Sequence, residues 1–429
     1  MPRTGKTLTR FLADIEPLRE SAAFRRLWLG SGVSNVGAWM ASFAISLQIW
    51  DLTHSSLAVG ALGLVQAIPA VLAGMLGGSL ADTMDRRRLV LITSSSLAVI
   101  SGLFALQAFL NLRQLLLLYV LAAVQAVLEV IDSPARRAIL PRLVAAEHVP
   151  AGVALNQLSF QISLLLGPAL GGLLTAAGGL RFCYLVDALS FTAALYGIAR
   201  LPSLPPQHEG LKPGLAAAVE GFRFIRRQPV LLAAFALDFQ AMALGMPRAL
   251  FPALNAAHFG GRPQTLGLIT AATAAGGLIG SVLSGRLSGI SRKGRAMLIT
   301  ISLWGVSIAI FGFTHLLWLA VLALVASGIL DVASVIFRGT IGQLVTPDAF
   351  RGRVTSADYI IGSAGPQLGN FEAGIVASLT TPAISAISGG LATTLGAVLI
   401  RLIAPAFAHY KATTTAAQSA GDQAAATSA

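Results

Sequence analysis

Apolar residues fall into twelve long blocks, at 27–50, 57–80, 89–111, 114–132, 151–177, 181–200, 230–254, 265–287, 297–313, 316–337, 354–380 and 383–404, separated by short polar or charged stretches. A helix rising 1.5 Å per residue crosses the ~30 Å hydrocarbon core of a bilayer in about 20 residues, so each block suffices for one crossing. Glycines and prolines inside them, such as Pro69, Pro168 and Pro366, are tolerated where neighbouring helices re-satisfy the backbone and approach closely over small side chains. The pattern predicts an all-α membrane protein with twelve transmembrane helices.

Composition narrows the function classes. The 429 residues are 55% hydrophobic and only 11% charged, against about a quarter charged in soluble domains. Twelve spans use about 240 residues and leave room only for loops and tails, which excludes a soluble multidomain enzyme and a disordered chain. The net charge of +12 suggests nucleic acid in a soluble protein, but in a membrane protein basic residues gather in cytoplasmic loops. With the N-terminus inside, 26 of the 30 Lys and Arg fall in the tails, the cytoplasmic loops and the middle segment; Arg113, Arg181, Arg248 and Arg262 fall on the opposite side. Topology therefore explains the excess. Both termini are expected in the cytoplasm, no nucleic-acid partner is expected, and residues 1–26 lead straight into an uncleaved first span. The lone Cys183 and scattered histidines give no disulfide, metal site or nucleophilic cluster, and no G-x-x-x-x-G-K-[ST] string for a nucleotide occurs. No cofactor is expected.

The chain divides at the Pro/Gly-rich stretch LPSLPPQHEGLKPG beginning at residue 201. The expected organisation is a cytoplasmic segment 1–26, a six-helix bundle 27–200, a linker 201–229, a second six-helix bundle 230–404 and a disordered low-complexity tail 405–429. In the linker, Val219, Phe222 and Ile225 lie three apart beside Arg223, Arg226 and Arg227, which reads as a helix lying on the inner membrane surface. The halves repeat: Arg137 with Leu143-Val144 matches Arg338 with Leu344-Val345 at an offset of 201, and Gly167-Pro168 matches Gly365-Pro366 after a three-residue slip. Parallel six-helix repeats are a transporter architecture whose substrate site lies at the repeat interface.

Ionisable groups inside spans are costly and point to function. Seven acids lie there: Glu129, Asp132, Asp187, Asp238, Asp331, Asp358 and Glu372. Asp132 is expected at the cytoplasmic end of its span, paired with Arg86 or Arg136, and Asp358 near Arg351 or Arg353. Glu129, Asp238, Asp331 and Glu372 are expected deeper, as groups that exchange a proton or bind a cationic part of a substrate, with a structural hydrogen bond as the alternative. Asp187 is the weakest of the deep acids. Asn35, Gln66, Gln125, Gln157 and Gln161 are candidate cavity-lining residues; Gln157 and Gln161 are one turn apart on one face.

The second-to-third connection reads GGSLADTMDRRR, with Gly78, Asp82 and Arg86–Arg88. It resembles the signature loop G-x-x-x-D-[RK]-x-G-[RK]-[RK] of the major facilitator superfamily, with Thr83 in place of a base and Asp85 in place of a glycine. The corresponding loop, SGRLSGISRKGR, has Gly289 at the acidic position. The strings LQIWDLTHSSLAVGALGL, DSPARRAILPRLV, LLLGPALGGLL and GPQLGNFEAG resemble the branch of that superfamily that includes the bacterial enterobactin (siderophore) exporter. The resemblance implies the major facilitator fold, two six-helix bundles rocking about a central cavity. It also implies a cytoplasmic gate of Gly78, Asp82, Arg86, Asp132 and Arg136 that breaks on opening. Gly167, Pro168, Gly171 and Gly172 are similar to a motif of proton-driven exporters thought to seal against leak, though plain helix packing needs the same small residues. The arginine such exporters carry midway along the fourth span is replaced by Ala122.

The expected function is secondary active export of a small organic molecule, siderophore or drug-like, across the bacterial inner membrane by proton antiport, with a monomer embedded in the bilayer. Import by proton symport is the alternative within transport. A membrane-embedded transferase would need a nucleophile or metal cluster that the chain does not offer, and a non-transporting sensor would carry an extra soluble domain.

Overall fold

A computed structural model describes residues 14–205 and 215–410; the side chains of 74–83, 215–218, 288 and 349 lie outside the described set. The chain is all-helical there. A short α1 (Glu16–Glu20) precedes α2 (Ala22–Thr53), α3 (Ser56–Thr83), α4 (Arg86–Phe109), α5 (Leu115–Ile139), α6 (Val149–Gly178) and α7 (Leu180–Ala199). The linker helix α8 (Leu215–Arg227) leads to α9 (Pro229–Leu244), α10 (Phe251–His258), α11 (Pro263–Ser288), α12 (Lys293–Phe313), α13 (Leu317–Val345), α14 (Asp348–Leu379), α15 (Pro382–Ile403) and the short α16 (Pro405–His409). Capping hydroxyls and carboxylates start several of them. Ser21 Oγ accepts from the Phe24 N–H at 3.1 Å, Asp85 Oδ1 from Arg88 N–H at 3.0 Å and Thr381 Oγ1 from Ile384 N–H at 3.1 Å, satisfying donors that a helix start leaves orphaned.

Among the described residues, ten segments are long and apolar enough to cross a membrane. The two long helices outside that set, α2 and α14, are 32 residues each. Their polarity has a structural cause: Ser31, Ser34, Asn35, Ser42 and Ser46 on α2, and Thr355, Ser356, Ser363, Gln367 and Asn370 on α14, face a central cavity rather than lipid. Apolar side chains elsewhere point outward, as Leu379 and Phe313 do at 79% and 75% exposure, the arrangement expected where lipid is the solvent.

The helices pack in two groups. In one, α2 lies against α6 and α7, α3 against α5, and α4 against α5 and α7; in the other, α11 and α12 pack on α13, α12 on α15, and α14 on α9 and α15. The groups meet along α6·α11 and α3·α14, and close contacts concentrate toward the face opposite α8. There a Cβ on Gly172 of α6 would stand 2.6 Å from the Pro263 carbonyl oxygen of α11, and one on Gly60 of α3 would stand 2.4 Å from the Asn370 carbonyl oxygen of α14. Backbones this close admit only glycine.

The seventh span departs from the expected unbroken block 230–254. Gly245, Met246 and Pro247 interrupt it after α9, a single 3-10 turn (Arg248–Leu250) follows, and α10 resumes the crossing. Pro247 and Pro252 lack the N–H that would continue the i to i−4 ladder across the junction. Arg248, expected on the opposite-side surface, instead sits at this break and lines the cavity.

The linker helix α8 docks on the first turns of α14. Glu220 pairs with Arg353 at 2.9 Å, Phe224 stacks on Phe350 at 4.7 Å between ring centroids, and Ile225 is buried, while Val219 and Phe222 remain exposed.

Candidate functional site

Between the two groups lies a cavity of about 1500 Å³. The glycine contacts close its end away from α8, and its wall runs back toward the α8 face past Ser31, Arg136, Arg137, Thr355 and Ser356. Aromatic side chains shape it: Trp39 meets Phe160 edge-to-face at 6.0 Å, and Phe43, Phe191, Phe251 and Tyr359 complete the apolar wall. Asn35, Gln66, Gln125 and Gln161 are all in the wall. Gln157 is exposed and outside it, because one turn along α6 carries it beyond the wall and toward solvent.

Three acids line this space, Glu129 and Asp132 on α5 and Asp331 on α13, and of these Asp132 is paired with Arg136. Glu129 accepts a hydrogen bond from Gln125 Nε2 at 2.9 Å, one turn away on the same helix. Asp331 also lines a second, far smaller void of about 10 Å³ with Asp238 and Ser334, room for about one water molecule.

Each half ties its helices together through an arginine, Arg136 on the cavity wall and Arg338 buried behind it. In the first, Arg136 Nε donates to Asp132 Oδ2, Nη1 to Ser31 Oγ at 3.0 Å and Nη2 to Ser94 Oγ at 2.7 Å, while Thr93 Oγ1 donates to the other Asp132 oxygen. In the second, Arg338 Nη1 donates to Asp238 Oδ2, its Nη2 lies 3.3 Å from Asp358, and Ser334 Oγ is 3.4 Å from Asp238 Oδ1. These networks tie α5 to α2 and α4, and α13 to α9 and α14. The partner of Arg338 in the repeat is therefore Arg136, at an offset of 202. Arg137, its match by sequence pattern, is exposed.

Other pairings differ from expectation for the same reason: charges are satisfied by the nearest unsaturated group. Asp358 meets Arg338, whereas Arg351 meets Asp348 at 2.9 Å and Arg353 meets Glu220. Arg86 does not reach Asp132, which Arg136 already saturates. Its Nη1 donates to the Ala138 carbonyl at 3.2 Å, and Arg87 Nη2 donates to the Ala199 carbonyl at 2.7 Å. Both carbonyls belong to helix C-termini, where acceptors are orphaned and the dipole favours a cation. Gly78 and Asp82 lie among residues whose side chains are outside the described set.

Asp85, absent from the sequence candidates, does the fastening: Oδ2 accepts from Ser203 Oγ at 2.6 Å and from Leu204 N–H at 2.7 Å, joining the α3–α4 turn to the start of the linker. Its slight burial opposes ionisation, but those bonds and the backbone N–H groups of Arg88 and Arg87 outweigh it and hold the carboxyl below its ordinary range. Its place in the signature loop, where a glycine is usual, was the available signal.

Two further deep acids, Asp187 and Glu372, line neither the cavity nor the smaller void. Asp187 is buried between α7, α4 and α2, accepting from Ser101 Oγ, with its other oxygen turned to the face of Gly37. Glu372 is half-buried and lies off the wall. Its helix presents Gln367 and Asn370 to α3 and Gly365 and Gly369 to α9, which leaves Glu372 beside the exposed stripe of Leu368, Ile375 and Leu379.

Of the glycine motif, Gly167 and Gly171 pack α6 against α2 within one group. A Cβ on Gly167 would stand 2.4 Å from the Trp39 Cβ, and one on Gly171 would stand 2.8 Å from a ring carbon of Phe43. Gly172 meets α11 across the seam. The motif's glycines thus pack both within one helix group and across the seam between the groups.

The family model for transmembrane secretion effectors of the major facilitator superfamily matches residues 13–424. The chain belongs to this family. It is a multi-pass membrane transporter for a small molecule, and not an enzyme. It is 28% identical over 404 residues to the enterobactin exporter EntS of Escherichia coli (strain K12), covering 94% of this chain and 97% of that one. Its fold resembles a POT family transporter in complex with 5-aminolevulinic acid (TM-score 0.71, 12% identity, 90% of this chain and 97% of that one). It also resembles a bacterial homologue of the iron transporter ferroportin in an inward-facing state (TM-score 0.68, 16% identity, 90% and 98%).

Proposed function

We propose that this transporter exports a siderophore or related small organic molecule across the bacterial inner membrane by alternating access, with protons entering in exchange. One observation carries the reading: a cavity of about 1500 Å³ lies between the two helix groups, and beside the Arg136-paired Asp132 its wall carries one acid from each group, Glu129 and Asp331, that is in no ion pair among the described residues. A volume of this size takes a ligand larger than most metabolites, and the likeness to the enterobactin exporter supports both the substrate class and the outward direction.

The groups 27–200 and 230–404 act as the moving bodies, joined by the linker 201–229. The distribution of bases puts the α8 face in the cytoplasm, so the cavity opens to the cytoplasm with the periplasmic seam shut. Substrate enters among Trp39, Phe160 and Tyr359. Rocking about the α6·α11 and α3·α14 seams then exposes it to the other side. Glu129 and Asp331 are the coupling acids, each able to hold a proton at the water-filled cavity and release it on the cytoplasmic side. Asp238 sits one water away from Asp331 across the smaller void and relays the charge state of the cavity to Arg338. The protein works as a monomer in the bilayer.

Uptake of a catecholate siderophore and of lipophilic drugs into everted membrane vesicles, with and without an imposed pH gradient, tests this. Gradient-driven uptake of the siderophore is expected; uptake that ignores the gradient overturns proton antiport.

A further inference from the structure

We propose that Arg248 is an anion-binding subsite at the closed end of the cavity, taking an oxyanion carried on an aromatic or otherwise apolar body. This rests on the cavity being the substrate path.

The position is built by the break in the seventh span. The Ala249 N–H donates to Asn370 Oδ1 at 3.1 Å, which pins the 3-10 turn to α14 close to where α3 and α14 cross. Pro247 and Pro252 bracket the turn, so its backbone is held at both ends and the guanidinium is delivered into the cavity rather than along a helix face. Arg248 is exposed there although it lies within a membrane span. Among the described residues it makes no hydrogen bond and no ion pair within 4.0 Å; Asp331 is the acid whose charge reaches it, from farther off.

That separates Arg248 from the two arginines that are ion-paired within the helix groups. Arg136 and Arg338 are saturated by carboxylates and hydroxyls and serve to tie helices together. A cation at this depth without a partner is held in readiness for one, and guanidinium is suited to bidentate recognition of a carboxylate or phenolate. The surroundings select the rest of the ligand. Phe43, Ala249 and Phe251 share the closed end with Arg248, so an apolar ring beside the anion replaces water against apolar wall. A flexible cationic drug gains nothing from this corner.

Two probes of the same shape separate charge from shape: 2-naphthoate and its neutral analogue 2-naphthamide, titrated against the purified full-length protein in detergent. The wild type is expected to bind the naphthoate about tenfold more tightly than the amide, the size of one charge-assisted hydrogen-bonded contact. Arg248→Gln should lose that preference and bind the amide unchanged, and Arg248→Lys should keep most of it. A wild type that binds neither probe, or both alike, overturns the proposal. So does an Arg248→Gln protein that loses both equally, or one that keeps the preference. Because the readout is binding and not flux, a charge preference found without siderophore uptake in vesicles would sink the exporter reading and leave the subsite standing.

Discussion

Glu129 on α5 and Asp331 on α13 stand 202 residues apart in sequence and face each other's half of the protein across one cavity. Each lies seven residues, two helical turns, before an ion-paired arginine, Arg136 or Arg338. The repeat thus places an acid on the wall in either half and an arginine two turns further on, which lines the cavity as Arg136 and is buried behind it as Arg338. It does so with different partners: Arg136 closes on Asp132 of its own helix, whereas Arg338 crosses to Asp238 and Asp358 on two others.

Coupling should follow the wall. Asp331→Asn and Glu129→Gln are expected to flatten the dependence of siderophore uptake on an imposed pH gradient in everted vesicles. Glu372→Gln, off the wall and beside lipid-facing residues, should leave it unchanged. The reverse pattern, with Glu372→Gln alone flattening the response, would return that residue to the mechanism.

The Arg338–Asp238 pair is buried on both sides, at 7% and 5% side-chain exposure. Removing one member strands a charge in a low-dielectric interior and costs about 3–5 kcal/mol, while replacing both with apolar residues of similar volume is near neutral. Arg338→Met alone should therefore lower the melting temperature of the detergent-purified protein sharply. The double variant Arg338→Met, Asp238→Leu should restore most of it yet remain impaired in transport. A double variant no more stable than the single one would show that the pair's weight lies elsewhere, in Asp358 or Ser334.

The fold was legible because span length, loop charge and the signature loop all act locally, and each can be read within some twenty residues. The wall acids Glu129 and Asp331 and the polar residues Asn35, Gln66, Gln125 and Gln161 were legible as well, since polarity inside an apolar block has few explanations. Partner choice was not. Whether Asp358 meets Arg351, Arg353 or Arg338 depends on the approach of α13 to α14, which no spacing along one helix records. Depth misled in two cases. Glu372 lies as far into its span as a cavity acid would, but rotation about the helix axis decides what it faces. Loop-charge counting assigns Arg248 to the opposite side although the block 230–254 contains it; the string P-R-A-L-F-P, an arginine between two prolines inside an apolar block, is the sign of a break that presents a charge inward.

The seam at Gly172 offers a steric test of alternating access. Its α-carbon faces Gly267 and Pro263 so closely that any side chain overlaps backbone, and such overpacking costs about 1–3 kcal/mol in the state that contains the contact. Gly172→Val should therefore depopulate the conformation closed on the face opposite α8. The readout is labelling of a cysteine introduced at Ser46, on the cavity wall, by a membrane-impermeant maleimide from the periplasmic side. The native Cys183 is fully buried and gives a low background. Labelling should rise several-fold in the Gly172→Val background, and an unchanged rate would mean that the seam does not control access.

The tie between Asp85 and the linker carries a pH dependence of known sign. Hydrogen bonds from Ser203, Leu204 and the α4 start hold the Asp85 carboxyl below its ordinary value of 3.8, so the folded arrangement prefers the ionised group. A depressed folded-state pKa contributes stability that is present above the unfolded value and is lost as the pH falls through the folded one. The tie should therefore be fully formed at neutral pH and at pH 5, and should release only below about pH 4. Hydrogen–deuterium exchange at the Leu204 amide, which donates to Asp85 at 2.7 Å, measures this directly. Protection is expected to be flat from pH 7 to 5 once the intrinsic rate is removed. In Asp85→Asn it should be lower at every pH, since an amide oxygen accepts less strongly than a carboxylate. Protection that declines already between pH 7 and 5 would show that the ionised Asp85 does not control this turn.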